Sequence, residues 1–251
     1  MMKKENNVKK IVKNFYKDVA VKSTSCCGCS CKTKNQNIEI AKSIGYSDQE
    51  LKKVGGANLG LGCGNPTAMA KIKKGDTVLD LGSGAGLDCF LAADIVGSSG
   101  KVIGVDMTEE MIEMATLNAK NQGYNNIEFK LGDIEDLPIM NNSIDVVISN
   151  CVINLAPDKA KVFSEVYRVL KKGGRMYLSD IVLLENLSLE QRTDEKLIAG
   201  CVGGALLKGD YLGLIMQSGF TVKILAEDKD ISKRQYQGVN LESLKVEATK
   251  N

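Results

Sequence analysis

Residues 77–88 read TVLDLGSGAGLD, and this stretch decides the fold. Thr77 to Leu81 is a short apolar run bounded by Gly75-Asp76 and Gly82, the pattern of a buried strand. Gly82, Gly84 and Gly86 follow at once and open a helical run over 86–96. Glycine at such places permits a tight turn and lets backbone approach a ligand closely. Asp106 stands 20 residues beyond Gly86, at the end of the next apolar run. An acidic group there accepts hydrogen bonds from ribose hydroxyls. Taken alone, a glycine pattern of this kind is a weak signal. A nicotinamide dinucleotide is its default ligand, and glycines that merely turn strands into helices give the same letters.

Working outward, KVIGVD (101–106), NIEFKLGD (126–133), SIDVVISN (143–150) and RMYLSDIVL (175–183) read as strands. Helices are predicted over 108–123, with Thr108 as N-cap and Gly123 as stop, and over 158–174, with Lys-Lys-Gly-Gly as stop. This alternation predicts an α/β fold, a mostly parallel sheet with helices on both faces. Toward the end, Ser188 to Gln191 forms a capping-box pattern opening a helix toward Gly200. A helix over 209–220 and an antiparallel pair over 221–228 and 239–248 follow. Residues 184–207 break the βα rhythm and are expected as an insertion over the active face. At the start, Val8, Ile11, Val12, Phe15 and Val19 take helical spacing. KSTSCCGCSCKTKNQN (22–37) reads as a mobile loop, and Ser47 to Glu50 caps a short helix ending near Gly55-Gly56. Three regions result: an N-terminal helical and Cys-rich segment (1–65), a nucleotide-binding core (66–183), and a substrate-side insertion with the closing helix and strands (184–251).

The chain has 251 residues, 43% apolar and 25% charged, with 33 basic against 31 acidic groups. A net charge of +2 makes no electrostatic case for nucleic acid or an acidic membrane. No apolar stretch approaches the roughly 18–20 residues of a membrane helix, and the start lacks a signal peptide's apolar core. A cytoplasmic protein is expected, with its eight cysteines reduced. The absence of histidine removes His-based triads and Cys/His zinc sites together.

Cysteine therefore carries the chemistry. Cys63 in LGLGCGNP, Cys151 in SNCVINL and Cys201 in AGCVGGAL each sit in a Gly- or Asn-bearing stretch that reads as a loop or helix end. Cys151 follows a strand at the carboxyl end of the sheet, where open α/β folds bind ligands. Asn65-Pro66 reads as an N-cap and first helical residue, so Cys63 is expected just outside a helix N-terminus whose dipole favours its thiolate. Cys89, beside Phe90 and Leu91, reads as core packing. The CCGCSC cluster fits either a redox pair at Cys26 or Cys27 or a metal clip. Zinc on the three distant cysteines is disfavoured, because a structural zinc takes a fourth ligand.

DLGSGAG with Asp80 resembles motif I of class I S-adenosylmethionine methyltransferases; Asp106-Met107 resembles the next motif and Gly132-Asp133-Ile134 the third. LGLGCGNPTAMA, SNCVINLAPDK and GCVGGAL, with the N-terminal SCCG, resemble the arsenite methyltransferase family. The resemblance implies a Rossmann-like class I methyltransferase fold with a seven-stranded sheet and a smaller arsenic-binding region. It implies S-adenosyl-L-methionine held by Asp80, Gly82, Gly84, Gly86, Asp106, Met107, Asp133, Ile134 and Asn150. Trivalent arsenic, as arsenite or methylarsenite delivered as a thiol conjugate, would sit on Cys63, Cys151 and Cys201, which suits a soft ion. Its lone pair would attack the sulfonium methyl in line. Cys26 and Cys27 match a pair tied to thiol–disulfide chemistry, with thioredoxin or glutathione as reductant. A monomer is expected. Two alternatives share the core: a quinone- or sterol-type methyltransferase, and a non-catalytic thiol-rich metalloid-binding protein.

Overall fold

The computed structural model describes residues 2–24 and 30–251. Helices α1 (Met2–Thr24), α2 (Ser30–Ser43), α3 (Asp48–Lys53) and the single turn α4 (Pro66–Met69) precede the sheet. The chain then alternates: β1 (Thr77–Leu81), α5 (Leu87–Val96), β2 (Lys101–Asp106), α6 (Glu109–Gln122), β3 (Ile127–Leu131), β4 (Ile144–Asn150), α7 (Lys159–Val169) and β5 (Leu170–Leu183). It closes with α8 (Leu189–Thr193), α9 (Glu195–Ala199), α10 (Lys208–Gln217), β6 (Phe220–Asp228), α11 (Ile231–Gln235) and β7 (Leu241–Lys250). The seven strands form one sheet in the order β3-β2-β1-β4-β5-β7-β6, parallel except for β7, which runs antiparallel to both neighbours.

The strands read as continuous apolar runs because both faces of the sheet are covered. Leu79 and Val147 face Phe163 and Val166 of α7, with Tyr211 and Ile215 of α10. Val78, Val102 and Ile148 face the opposite way, onto Cys89, Ala92 and Val96 of α5. The order of strands reverses between β1 and β4. A crevice therefore opens beyond their carboxyl ends, and DLGSGAG and Asn150-Cys151 both emerge there.

Four elements depart from the sequence expectation. Residues 30–37, expected within a loop, belong to α2, which buries Ala41 and is followed by the buried Ile44. Tertiary burial overrides the weak helix propensity of its Ser, Thr and Asn. The helix expected over 158–174 ends at Val169; residues 171–174 bulge from β5 between the pairs Ile144↔Leu170 and Val146↔Arg175. Lys171 pairs there with Asp145 at 2.7 Å. The single helix expected from Ser188 is two short ones, broken at Asp194, which caps the second by accepting from the Lys196 and Leu197 amides. The last strand runs Leu241–Lys250 rather than 239–248. The capping boxes at Ser47–Glu50 and Ser188–Gln191 are both formed. Among the described residues, no helix is long and apolar enough to cross a membrane.

Candidate functional site: a nucleotide cradle ending in three thiols

A cavity of about 270 Å³ fills the crevice, lined by Asp80, Gly82, Gly84, Asp106, Met107, Asp133, Ile134, Asn150, Cys151 and Cys201. Gly82, Gly84 and Gly86 all take positive φ, which only glycine adopts without strain. A side chain at Gly82 would meet Val152 at 2.4 Å, whereas Gly84 faces open space. Gly86 lies behind the cavity wall, N-capping α5 against Phe90 and Phe129. Asp106 ties the loop together, accepting from the Gly84 amide at 3.0 Å and the Thr108 amide at 2.9 Å. Thr108 is the N-cap residue of α6, but its side chain makes no capping bond. Asp80 is buried and accepts from the Cys89 thiol at 3.2 Å, so Cys89 does more than pack. Burial pushes the Asp80 carboxyl well up, helped by the neighbouring Asp88, and burial raises Asp106 too.

The three distant cysteines meet beyond this cradle. Cys63 Sγ, Cys151 Sγ and a carboxylate oxygen of Asp180 lie within 4.8 Å of one another. The Cys201 thiol donates to the Cys151 carbonyl at 2.6 Å. All three cysteines are buried. Cys151 and Cys201 adopt left-handed backbone, at φ 60° and 67°, which costs a non-glycine residue about 1–2 kcal/mol each. Strain of this kind persists only where the surroundings over-determine it. Here the Cys151 amide donates to the Ser179 carbonyl at 2.8 Å and the Cys201 amide to Ile198 at 3.3 Å.

The Cys63 loop is clamped from three sides. The Cys63 amide donates to Asn150 Oδ1 at 3.0 Å, Asn150 Nδ2 donates to the Gly64 carbonyl at 2.8 Å, and Ser243 Oγ donates to the Cys63 carbonyl at 2.7 Å. Asn150 thus lines the cavity while its amide orders the Cys63 loop. Cys63 itself lies behind Cys151 rather than on the cavity wall. Asn65 caps α4 as its sequence suggests, accepting from the Ala68 amide, but α4 is only four residues long. Its dipole does not make Cys63 the thiolate. Burial and the adjacent Cys151 push the Cys63 thiol well up.

The thiol that the surroundings lower is instead Cys151. Hydrogen bonds from Cys201, then from Cys63, hold its thiol well below the usual range and outweigh burial; Tyr236 adds to them. The bond to Cys151, and burial, push Cys201 up. Asp180 is pushed up by burial and by the Cys151 charge. Burial brings Lys159 down to about 8.

Two elements cover the crevice. From α1, Tyr16 lines the cavity with Cys201, and Lys9 reaches Asp133 and Glu135, each at 2.6 Å. From the end of α11, Gln235 and Tyr236 line the thiol end. Lys9, Asp180, Gln235 and Tyr236 were not legible as site residues. Only Asp180 carried a signal: a carboxylate inside the apolar strand YLSDIVL, a place charge seldom occupies. Cys26 and Cys27 lie outside the described residues.

A family model described as a methyltransferase domain matches residues 72–234, well over half of the chain. The chain is 43% identical over 235 residues to an arsenite methyltransferase of Halobacterium salinarum, covering 88% of this chain and 59% of that protein. It is 46% identical over 178 residues to one of Aquipseudomonas alcaligenes, covering 68% and 51%. Among solved structures, an arsenic(III) S-adenosylmethionine methyltransferase from Chlamydomonas reinhardtii superposes with a TM-score of 0.65 at 34% identity, over 84% of this chain and 72% of that one. The chain belongs to the arsenite methyltransferase family. Within it, the seven-stranded sheet with its single antiparallel strand is the class I methyltransferase fold. The chain spans between half and three fifths of the length of the two arsenite methyltransferases quoted.

Proposed function

We propose that this chain methylates trivalent arsenic, as arsenite or methylarsenite, with S-adenosyl-L-methionine as donor, in the service of arsenic detoxification. The observation that carries this reading is the meeting of Cys63, Cys151 and Cys201 at one end of a cavity whose other end is the DLGSGAG cradle.

The residues present fit the donor. Gly84 leaves open space for a close ligand, and Asp80 and Asp106 are buried carboxylates that line the cavity. Asp106 would take the ribose, Asp133 and Ile134 the adenine side, and Asp80, Gly82, Gly84, Met107 and Asn150 would complete the cradle, with Gly86 setting its turn. Bound there, the donor supplies an electrophilic sulfonium methyl group.

Cys151, the thiol of the three that its neighbours lower, would take arsenic first from its thiol conjugate. Cys63 and Cys201 would follow, their protons leaving with the displaced thiols. Three sulfurs satisfy a soft ion and leave its lone pair free as the nucleophile. No side chain removes a proton from arsenic, so the lack of histidine is no obstacle. Alignment of nucleophile and methyl supplies the rate, and the buried site excludes water. Methyl transfer formally oxidises As(III) to As(V). Two thiols closing to one disulfide return two electrons, with Cys26 or Cys27 and Cys63 as the dithiol and thioredoxin or glutathione reopening it. The chain would act as a cytoplasmic monomer, with a helical and Cys-rich segment (1–65), a donor-binding core that also carries Cys151 (66–183), and a substrate-side insertion with the closing helix and strands (184–251).

The test combines arsenite, methyl-labelled donor and a thiol. Wild type is expected to pass label to arsenic, and Cys151→Ser and Cys201→Ser to fall to background. Full transfer in either variant overturns the three-thiolate assignment. No transfer by wild type overturns the activity.

A further inference from the structure

The sulfurs of Cys63 and Cys151 have a third neighbour besides Cys201. Asp180, on β5, is fully buried and places a carboxylate oxygen within 4.8 Å of both sulfurs. Cys201 Sγ is not part of that group. The carboxylate is fixed from behind. Its Oδ1 accepts from Asn154 Nδ2 at 2.9 Å and the Ile181 amide at 3.0 Å, and its Oδ2 accepts from the Tyr211 hydroxyl at 2.9 Å. Outer-shell bonds of this kind orient the ligands of metal sites.

Two donor sets therefore share two sulfurs. The set with Cys201 is all sulfur and suits trivalent arsenic. The set with Asp180 is two sulfurs and one hard oxygen, which suits a divalent cation of borderline softness. We propose that Cys63, Cys151 and Asp180 form a binding site for a divalent cation of the zinc and cadmium class, which excludes arsenic from the thiols it occupies. The proposal rests on the arsenic reading above only for its consequence, inhibition; the cation site stands on its own ligands.

Geometry and charge both permit it. A tetrahedral cation with bonds of about 2.3 Å to sulfur and about 2.0 Å to oxygen sets its ligands roughly 3.5–3.8 Å apart, so the cluster needs to close by no more than about 1 Å. Cys151 lies on the cavity wall, which leaves the fourth position to solvent. Two thiolates and a carboxylate bring three negative charges, of which the cation cancels two. Whatever protons Cys63, Cys151 and Asp180 carry leave to buffer as the metal–ligand bonds form. Three protein ligands with an open fourth position make this an exchangeable site rather than the closed structural zinc site that the cysteines alone failed to complete.

The probe is cadmium, titrated into the reduced full chain carrying Ser at Cys26, Cys27, Cys29 and Cys31, so that no other thiol cluster competes. Thiolate-to-cadmium absorption reports binding, and native mass spectrometry reports the arsenite adduct. The parent is expected to take one cadmium and then to refuse arsenite. Asp180→Asn is expected to bind cadmium at least about tenfold more weakly while still forming the three-sulfur arsenite adduct. Asp180→Glu keeps the oxygen donor and should recover cadmium binding. Cys201→Ser is expected to lose the three-sulfur adduct and keep cadmium within a few-fold. Unchanged cadmium affinity in Asp180→Asn, equal loss in Cys201→Ser, or cadmium and arsenite bound together in the parent would each overturn the proposal. If Asp180→Asn does not fold, the Cys201→Ser titration and the parent competition decide it. If the parent never forms a three-sulfur arsenite adduct, the arsenic reading fails whatever cadmium does.

Discussion

Lys159→Met should flatten the pH dependence of stability. Lys159 is 7% exposed, and its ammonium donates to the Asn154 carbonyl at 3.4 Å and the Ala156 carbonyl at 3.0 Å. Burial brings it from 10.5 in the unfolded chain to about 8 in the fold. The folded state therefore disfavours the charged form. Below pH 8 both states are protonated and the penalty, about 3 kcal/mol, is fully present. Between about pH 8 and 10.5 the unfolded chain binds more protons, so stability rises with pH. Worked through, this one group stabilises the fold by about 2 kcal/mol between pH 7.5 and 9.5. The methionine variant loses that rise. At pH 7.5 it escapes the penalty but strands two carbonyls, at about 1 kcal/mol each, for a net gain of about 1 kcal/mol. Urea denaturation of both proteins at pH 7.5, 8.5 and 9.5, under reducing conditions, reads the difference and cancels the cysteines' own titration. Parallel pH slopes would refute the reasoning.

Gly64→Ala would set a methyl 2.3 Å from Ser179 Oγ, which is buried and cannot yield, so a loss of about 1–3 kcal/mol and a displaced Cys63 loop are expected; an unchanged melting temperature with normal arsenite uptake would contradict this. Cys151, held low by its neighbours' hydrogen bonds, should be alkylated ahead of Cys63 and Cys201 at pH 7, with a rate that rises less steeply with pH than theirs. Peptide mapping that finds Cys63 modified first would refute that charge assignment. Lys9→Met removes two ion pairs that tie α1 to Asp133 and Glu135; being part-exposed, they stabilise by up to about 1 kcal/mol each. Amide exchange over residues 8–17 should quicken with little change in melting temperature, and unchanged exchange would mean that the pairs do not hold α1.

Much of the sheet was legible because apolar runs bounded by glycine and charge leave few other solutions. The loop at 82–86 was legible because only glycine tolerates its backbone. Cys63, Cys151 and Cys201 came together in the reading through motif resemblance rather than physics. Nothing in the letters says that Cys151 and Cys201 take left-handed backbone. The charge on the cluster was misread: the sequence shows Pro66 beginning a helix but not that the helix stops after four residues. Asp180 was illegible as a ligand because its place opposite Cys63 is created by the clamp of Asn150 and Ser243 on a loop more than 80 residues away. The α2 helix was missed for a simpler reason. Its residues are poor helix formers, and burial of Ala41 and Ile44 is a property of the fold.

X-ray absorption at the arsenic edge, on the reduced chain loaded with one equivalent of arsenite, tests the central claim most directly. Three sulfur neighbours and no oxygen are expected in wild type, falling to two sulfurs with an oxygen in Cys63→Ser, Cys151→Ser and Cys201→Ser alike. A wild-type site with an oxygen neighbour, or three sulfurs that persist in any of the three variants, would contradict it.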